Sequence, residues 1–153
     1  MALKFAAADE LKGAVLGTLV FLGTYMALLL FQSMTKFVVL KARRAKEKKD
    51  GKGDHASFAE LKYYNRDVLA LAGDRAVGNT LEQLVTFLPL LWLHALFVDP
   101  SLSFRIGLVY SLSRIVYPFL FLLNGFNPMV FLSTIPGYAV QTYLAYKLVV
   151  ASI

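Results

Sequence analysis

The most constraining feature of this chain is a long stretch without any charged residue, residues 13–35. At about 1.5 Å rise per residue, a helix of this length crosses a hydrocarbon core of roughly 30 Å. The chain is also 58% hydrophobic and only 17% charged, unlike an ordinary soluble domain. A cleaved signal peptide is the alternative, but the apolar run exceeds the usual h-region, and no small-residue cleavage site comes before the basic tract. The stretch therefore predicts a membrane-spanning helix.

Three further apolar segments follow, separated by residues that break helices. The predicted spans are residues 13–40, 76–98, 102–123 and 128–150. Asp99-Pro100 stops the second span, and the turn-rich residues 124–128 separate the third from the fourth. A soluble four-helix bundle would carry a polar stripe on every helix, whereas the first and fourth segments are apolar nearly all round. We predict an all-α fold, an integral membrane four-helix bundle that forms a single domain over residues 1–153.

The positive charge of the chain is concentrated between the first two spans. Residues 41–54 carry seven Lys/Arg against three Asp/Glu. Nucleic acid could bind such a run, but a basic segment beside a span more often marks the cytoplasmic side and contacts anionic lipid. We therefore expect a basic cytoplasmic loop, residues 41–62, with both termini on the opposite side and no nucleic-acid partner. The membrane would be an endomembrane or a bacterial inner membrane.

The residue types exclude several kinds of site. Cysteine is absent, so disulfides, thiolate metal ligands and cysteine nucleophiles cannot occur. The two histidines, His55 and His94, cannot build a metal site alone. We expect no bound metal.

The second span carries a polar face. Arg75, Asn79 and Glu82 stand at i, i+4 and i+7, so in a helix they project from one side. Ionisable groups inside a span are expensive and are kept mainly where they line a polar site or pair with one another. The third span carries Arg114, with Tyr117 three residues later on the same face. Because the polar face lies early in the second span and Tyr117 late in the third, their levels coincide, and a shared site would open toward the cytoplasmic leaflet.

Two interpretations of this face are open. Glu82 could form a structural ion pair with Arg114 or Arg75, with Asn79 making a hydrogen bond between helices. Alternatively, the two arginines outnumber Glu82 and leave positive charge in a partly desolvated pocket. Such a pocket suits an anionic ligand, since guanidinium groups bind carboxylates bidentately.

The sequence Arg75-Ala-Val-Gly-Asn79-Thr-Leu-Glu82-Gln83, running on into Phe-Leu-Pro-Leu-Leu, resembles the second-helix signature of the MAPEG family, the membrane-associated proteins in eicosanoid and glutathione metabolism. The Arg-x-x-x-Asn-x-x-Glu spacing is the specific part. The chain length, the four spans, the basic first loop and Arg114-Ile-Val-Tyr117 also agree, so the resemblance covers nearly the whole chain.

The resemblance implies a homotrimer with glutathione bound as co-substrate between neighbouring subunits. Arg75, Asn79 and Glu82 would hold the tripeptide, Glu82 at its amine and the arginines at its carboxylates. Arg114 and Tyr117 would complete the site and act as the catalytic residues. Lys41 is a candidate for the further cation that family members place at the end of the first helix.

The chain departs from the family pattern in the third helix and beyond. Family members that conjugate or isomerise lipids usually have a further arginine about fourteen to sixteen residues after Arg114, but residues 128–130 are Pro-Met-Val here. Phe121 stands where some relatives carry an aromatic hydroxyl. Thiolate formation would then depend on Arg114, on Tyr117 or on a helix terminus.

Two functions remain open from the sequence. The first is a microsomal-type glutathione transferase or peroxidase that acts on apolar electrophiles from the bilayer. The second is a membrane protein of the same fold that binds or presents lipid without turnover, which the missing arginine favours. The intact polar face favours the first.

Overall fold

The fold is helical throughout the part of the chain that the computed structural model describes, residues 6–51, 56–63, 66–124 and 131–153. The helices are α1 Lys12–Lys49, α2 Phe58–Tyr63, α3 Val68–Phe97, α4 Ser103–Asn124 and α5 Phe131–Ser152. A 3-10 turn, Pro100–Leu102, joins α3 to α4. Asp99 caps this turn by accepting a hydrogen bond from the Ser101 amide at 2.8 Å. Hydrogen bonding from the Ser101 side chain, and to a smaller extent from its amide, lowers the pKa of the Asp99 carboxyl group. The expected all-α class is confirmed.

Within the described part of the chain, three segments are long and apolar enough to cross a membrane: α1, α3 and the segment Pro100–Leu123. α5 has 22 residues, a sufficient length, but it is not among these three segments. The expected membrane character is therefore supported. The fourth span remains a prediction, and its first residues, 128–130, lie outside the described part of the chain.

The basic segment after the first span is helical where a loop was expected. α1 continues to Lys49, so residues 41–49 of the expected loop 41–62 belong to it. Alanine, lysine, arginine and glutamate are strong helix formers, and lysines in the last turn oppose the negative end of the helix dipole. With 38 residues, α1 is about 57 Å long and exceeds a hydrocarbon core of roughly 30 Å. Its basic end therefore projects beyond the span.

α3 begins eight residues before the expected start of the second span, residue 76. Asp67 is its N-cap, and the side chain accepts a hydrogen bond from the Leu69 amide at 3.0 Å. Arg75 consequently lies about two turns inside the helix instead of in its first turn. The polar face is therefore supported by continuous helix on both sides.

The helices pack around an aromatic centre. α1 contacts α3 and α4, and α5 packs on α3 and α4. Phe21 of α1 lies 5.3 Å from the Phe87 ring and 5.7 Å from the Tyr110 ring, measured between ring centroids, and the last two rings stack at 3.7 Å. The stacked rings of Phe87 and Tyr110 hold α3 against α4. The same two helices supply the lining of the pocket described below.

Candidate polar pocket between the helices

A pocket of about 350 Å³ opens on the polar face of α3. The lining residues are Asp74, Arg75, Gly78, Asn79, Glu82 and Tyr117. All but the last belong to α3, and Tyr117 comes from α4. The structure thus brings four of the five residues expected in the site, Arg75, Asn79, Glu82 and Tyr117, to one place.

The helical repeat of α3 explains the wall of the pocket. Arg75 and Glu82 are exposed, and Asn79 between them is half-buried. At Gly78 a Cβ would meet no atom within 4 Å, so the open space there is not filled by a neighbouring helix. The Arg75 guanidinium and the Glu82 carboxylate are therefore accessible, while the α3 backbone is held by its packing on α1, α4 and α5.

Tyr117 closes the other wall and is held firmly. Its side chain is only 6% exposed and packs with Leu28, Ala76 and Val77. The Phe121 ring lies 6.4 Å from its own ring, and Asn79 lines the same pocket. A hydroxyl fixed in this way at the rim of a polar pocket can donate to a bound anion without a further loss of rotamer freedom.

α1 contributes a charged contact that the sequence reasoning missed. The Lys36 ammonium lies 2.6 Å from Asp74 Oδ1, and Gln32 Nε2 donates to the same oxygen at 2.7 Å. Lys36 is 8% exposed, whereas Lys41, the candidate taken from the family resemblance, is exposed on the basic end of α1. The signal was present in the sequence, because Gln32 and Lys36 are four residues apart and share a helix face.

Arg114 lies behind the pocket and does not line it. Its side chain is 1% exposed, and its Nη2 donates to the Ser133 carbonyl of α5 at 2.8 Å while its Nε donates to Ser113 Oγ at 3.1 Å. The guanidinium also lies over the Tyr110 ring, 5.3 Å from its centroid. The expected pairing of Arg114 with Glu82 is therefore not formed, because the arginine turns toward α5 and Glu82 is exposed on α3.

The position of Arg114 also changes the charge of the pocket. Its lining holds one guanidinium, from Arg75, and two carboxylates, from Asp74 and Glu82. The expected excess of positive charge is thus absent from the described residues that line this pocket. Lys36 neutralises Asp74 from the side of α1.

The described residues hold no group of three or more His, Asp or Glu side chains placed to bind a metal ion. The polar atoms of the pocket are instead guanidinium, carboxylate, amide and phenol groups. These groups suit a zwitterionic organic ligand better than a metal ion.

Long apolar helices around a polar pocket define the class of this molecule, a helical membrane protein with a polar pocket between two of its helices. The MAPEG family model matches residues 18–150, most of the chain, so the chain belongs to the MAPEG family. A protein of Synechocystis sp., itself described as uncharacterized, is 51% identical over 43 residues. That match covers 28% of this chain and 31% of the Synechocystis protein, so it spans about a third of that relative. No solved structure gives a significant match.

Proposed function

We propose that this protein is a glutathione-binding membrane enzyme, a glutathione transferase or peroxidase that acts on apolar electrophiles from the bilayer. The observation that carries the proposal is the pocket itself. Arg75, Asn79, Glu82 and Tyr117 converge on about 350 Å³ of open space, which is within the usual size of a small-molecule site.

The pocket chemistry suits a tripeptide with both signs of charge. The Arg75 guanidinium can bind a carboxylate bidentately, and Glu82 can accept from an ammonium group. Asp74 is a second carboxylate at the same wall, already held in place by Lys36. Glutathione carries one ammonium and two carboxylates, so its amine has two partners here and only one of its carboxylates has a cation.

The glutathione carboxylate that has no cation in this pocket favours a site shared between subunits. A neighbouring copy of this chain in a homotrimer would supply the second cation, and Lys41 is exposed on α1 and accessible to it. Large apolar side chains are exposed along the helices, among them Leu19 on α1 and Val85 on α3. Lipid and neighbouring subunits would cover them.

The proposed chemistry is formation and use of a thiolate. Tyr117 would donate its hydroxyl hydrogen to the sulfur and so favour the charged form. Arg114 would act from behind Tyr117 through its positive charge, since it does not line the pocket and its Nε and Nη2 donate to Ser113 and Ser133. The thiol proton passes to water when the thiolate forms. The sulfur then forms a bond to the electrophilic carbon of a lipid-soluble substrate, and one bond to that carbon breaks. The electron pair of this bond leaves with the departing group, which takes up a proton from water.

One observation favours the alternative, a membrane protein that binds or presents lipid without turnover. Arg114 is closed off from the pocket, and no arginine follows it in the sequence. In that case the polar face would only tie helices together, and the apolar surfaces would hold the lipid.

Titration with glutathione separates the two proposals. Detergent-purified protein is titrated while ultraviolet absorbance of the thiolate is followed, and binding heat is measured in parallel. We expect saturable binding together with thiolate formation near neutral pH. Binding without thiolate would favour a presenting protein, and the absence of binding in a well-assembled sample would overturn the glutathione assignment.

A further inference from the structure

The Asp74 carboxylate stands at the wall of the pocket and is held there from α1. The Lys36 ammonium lies 2.6 Å from Asp74 Oδ1, and Gln32 Nε2 donates to the same oxygen at 2.7 Å. Lys36 is only 8% exposed, so water competes little for this contact. The Asp74 side chain is therefore fixed before a ligand arrives.

A glycine of α3 allows α1 to come close enough for these contacts. A Cβ built on Gly73 would lie 2.8 Å from the Gln32 Cα and 2.8 Å from Thr35 Oγ1, closer than real Cβ atoms approach. Glycine is therefore required where α1 and α3 meet. Because Asp74 is the next residue of α3, the hold on its carboxylate is part of the packing of these two helices.

The contacts from α1 leave one oxygen of Asp74 for the pocket. A carboxylate has two oxygens and can accept from about four donors. Among the described residues, the ion pair and the hydrogen bond of Asp74 both use Oδ1. The residue is half-buried and lines the pocket, so Oδ2 is the acceptor that a ligand can use. An acceptor that is already fixed binds without a further loss of side-chain freedom.

Asp74 and Glu82 are the two carboxylates of the pocket lining, and they differ in their surroundings. Asp74 adjoins Arg75, whereas Glu82 is eight residues further along α3, about 12 Å along the helix axis. Glu82 is exposed, so its longer side chain would have to be ordered on binding. In the γ-glutamyl residue of glutathione, the ammonium group and one carboxylate share a single carbon atom. Two neighbouring groups of opposite charge, Asp74 and Arg75, suit that end of the ligand.

We infer that Asp74, and not Glu82, binds the ammonium group at the γ-glutamyl end of glutathione. This inference rests on the proposed function, since it assigns the ends of the same ligand. Arg75 then binds the carboxylate of the γ-glutamyl residue, and Glu82 accepts from a peptide N–H of the ligand. The glycyl carboxylate is the one that a cation of a neighbouring subunit would bind.

The test compares two tripeptides that differ only at the ammonium group. They are glutathione and glutaryl-cysteinyl-glycine, which has a hydrogen atom in place of that group. Calorimetric titration of the detergent-purified parent protein should show about tenfold or more tighter binding of glutathione, as expected for a hydrogen bond between charged groups. Asp74→Asn should bring the two affinities to within about twofold of each other. The carboxamide oxygen would stay with Lys36 and Gln32, and its NH₂ group is a donor that does not bind an ammonium group.

Glu82→Gln is the matched control, because it removes the same charge from the same pocket. It should weaken the binding of both tripeptides equally and keep the difference between them. Asp9→Asn, the same substitution in an exposed turn outside the pocket, should leave both affinities unchanged. The double variant Lys36→Met, Asp74→Asn is used if Asp74→Asn assembles poorly, because it leaves no buried ammonium group without a carboxylate. It too should remove the difference.

Three results would overturn the inference while leaving glutathione binding intact. The first is an undiminished difference between the tripeptides in Asp74→Asn and in the double variant. The second is a loss of the difference in Glu82→Gln, which would assign the ammonium group to Glu82. The third is equal binding of both tripeptides by the parent protein. If neither tripeptide binds the parent protein, the proposed function itself fails, and the role of Asp74 fails with it.

Discussion

At the scale of single residues, burial separates two arginines that look equivalent in the sequence. Arg75 is exposed at the pocket, whereas Arg114 is 1% exposed and bonded to α5. Removing Arg114 takes a hydrogen-bond donor away from the buried Ser113 hydroxyl and from the Ser133 carbonyl. A loss of function from Arg114 variants would therefore combine altered stability with altered chemistry, and Arg75 and Glu82 are the cleaner tests of ligand binding.

Arg75→Ala and Glu82→Ala should each weaken glutathione binding by about tenfold or more, because each removes a charge-assisted hydrogen bond to the ligand. Thermal stability in detergent should change little, since both side chains are exposed. Calorimetric titration and a melting curve measure the two effects. Arg105→Ala, an exposed arginine of α4 outside the pocket lining, is the control and should leave binding unchanged. Full glutathione affinity in Glu82→Ala would disprove the site.

Tyr117→Phe should retain most glutathione binding but lower turnover with a model electrophile. A hydrogen bond to the thiolate lowers the pKa of the thiol, so its loss should raise that pKa and move the pH–rate profile to higher pH. Turnover rates of the parent protein and of Tyr117→Phe, measured over a range of pH, test this expectation. Tyr25→Phe is the control, because Tyr25 packs on the same apolar cluster without lining the pocket. A Tyr117→Phe profile that coincides with the parent profile would place the thiolate donor elsewhere.

At the scale of the helices, the approach of α1 to α4 sets the geometry of the bundle. A Cβ built on Gly107 would lie 2.6 Å from the Gly17 Cα, and one on Gly17 would lie 2.9 Å from the Ser103 carbonyl oxygen. Backbone meets backbone here, so no flexible side chain can move aside. Glycine is required at this contact because of the close approach of the helices.

Gly107→Ala should therefore destabilise the bundle by about 1–3 kcal/mol, the usual effect of overpacking a tight contact. Gly23→Ala on α1 is the matched control, because a Cβ there meets no atom within 4 Å. That change should be neutral or slightly stabilising, since alanine favours a helix. Thermal unfolding of both variants in one detergent gives the comparison. Equal melting temperatures would mean that α1 and α4 are not held at this distance.

At the scale of the whole molecule, the pocket is open, and the described residues that line it include a single cation, Arg75. The spanning helices expose large apolar side chains, and lipid or neighbouring copies of the chain would cover them. The basic end of α1 extends past the span, and the positive-inside rule would place it in the cytoplasm, with both termini on the other side. The proposed glutathione site would then open toward the cytoplasmic leaflet.

We expect the protein to be a homotrimer in mild detergent, because a neighbouring subunit would complete the pocket and cover apolar surface. Native mass spectrometry measures the mass of the assembly directly. A harsher detergent that dissociates the trimer should abolish glutathione binding, and the mass of a monomer should then replace that of the trimer. A monomer that still binds glutathione with the parent affinity would show that the site does not need a second subunit.

The sequence by itself determined the class of the fold and one wall of the pocket. The absence of charge in residues 13–35 requires lipid, and the i, i+4, i+7 spacing of Arg75, Asn79 and Glu82 requires one face once the segment is helical. The first conclusion depends on the composition of one segment and the second on the helical repeat. Neither depends on contacts with another helix. The end of α3 at Asp99-Pro100 was predictable for the same reason, since proline restricts the residue before it.

Only the tertiary structure decided which polar groups meet. Arg114 was expected at Glu82 but is bonded to Ser133, and Asp74 was found to pair with Lys36. Gln83 looked like an ordinary polar residue in the sequence and is the hub of a buried network. Periodicity gives the face of a helix but not the rotation of one helix against another. That rotation is set by packing, here by the Phe21, Phe87 and Tyr110 centre and the Gly17–Gly107 contact, which join residues far apart in the chain.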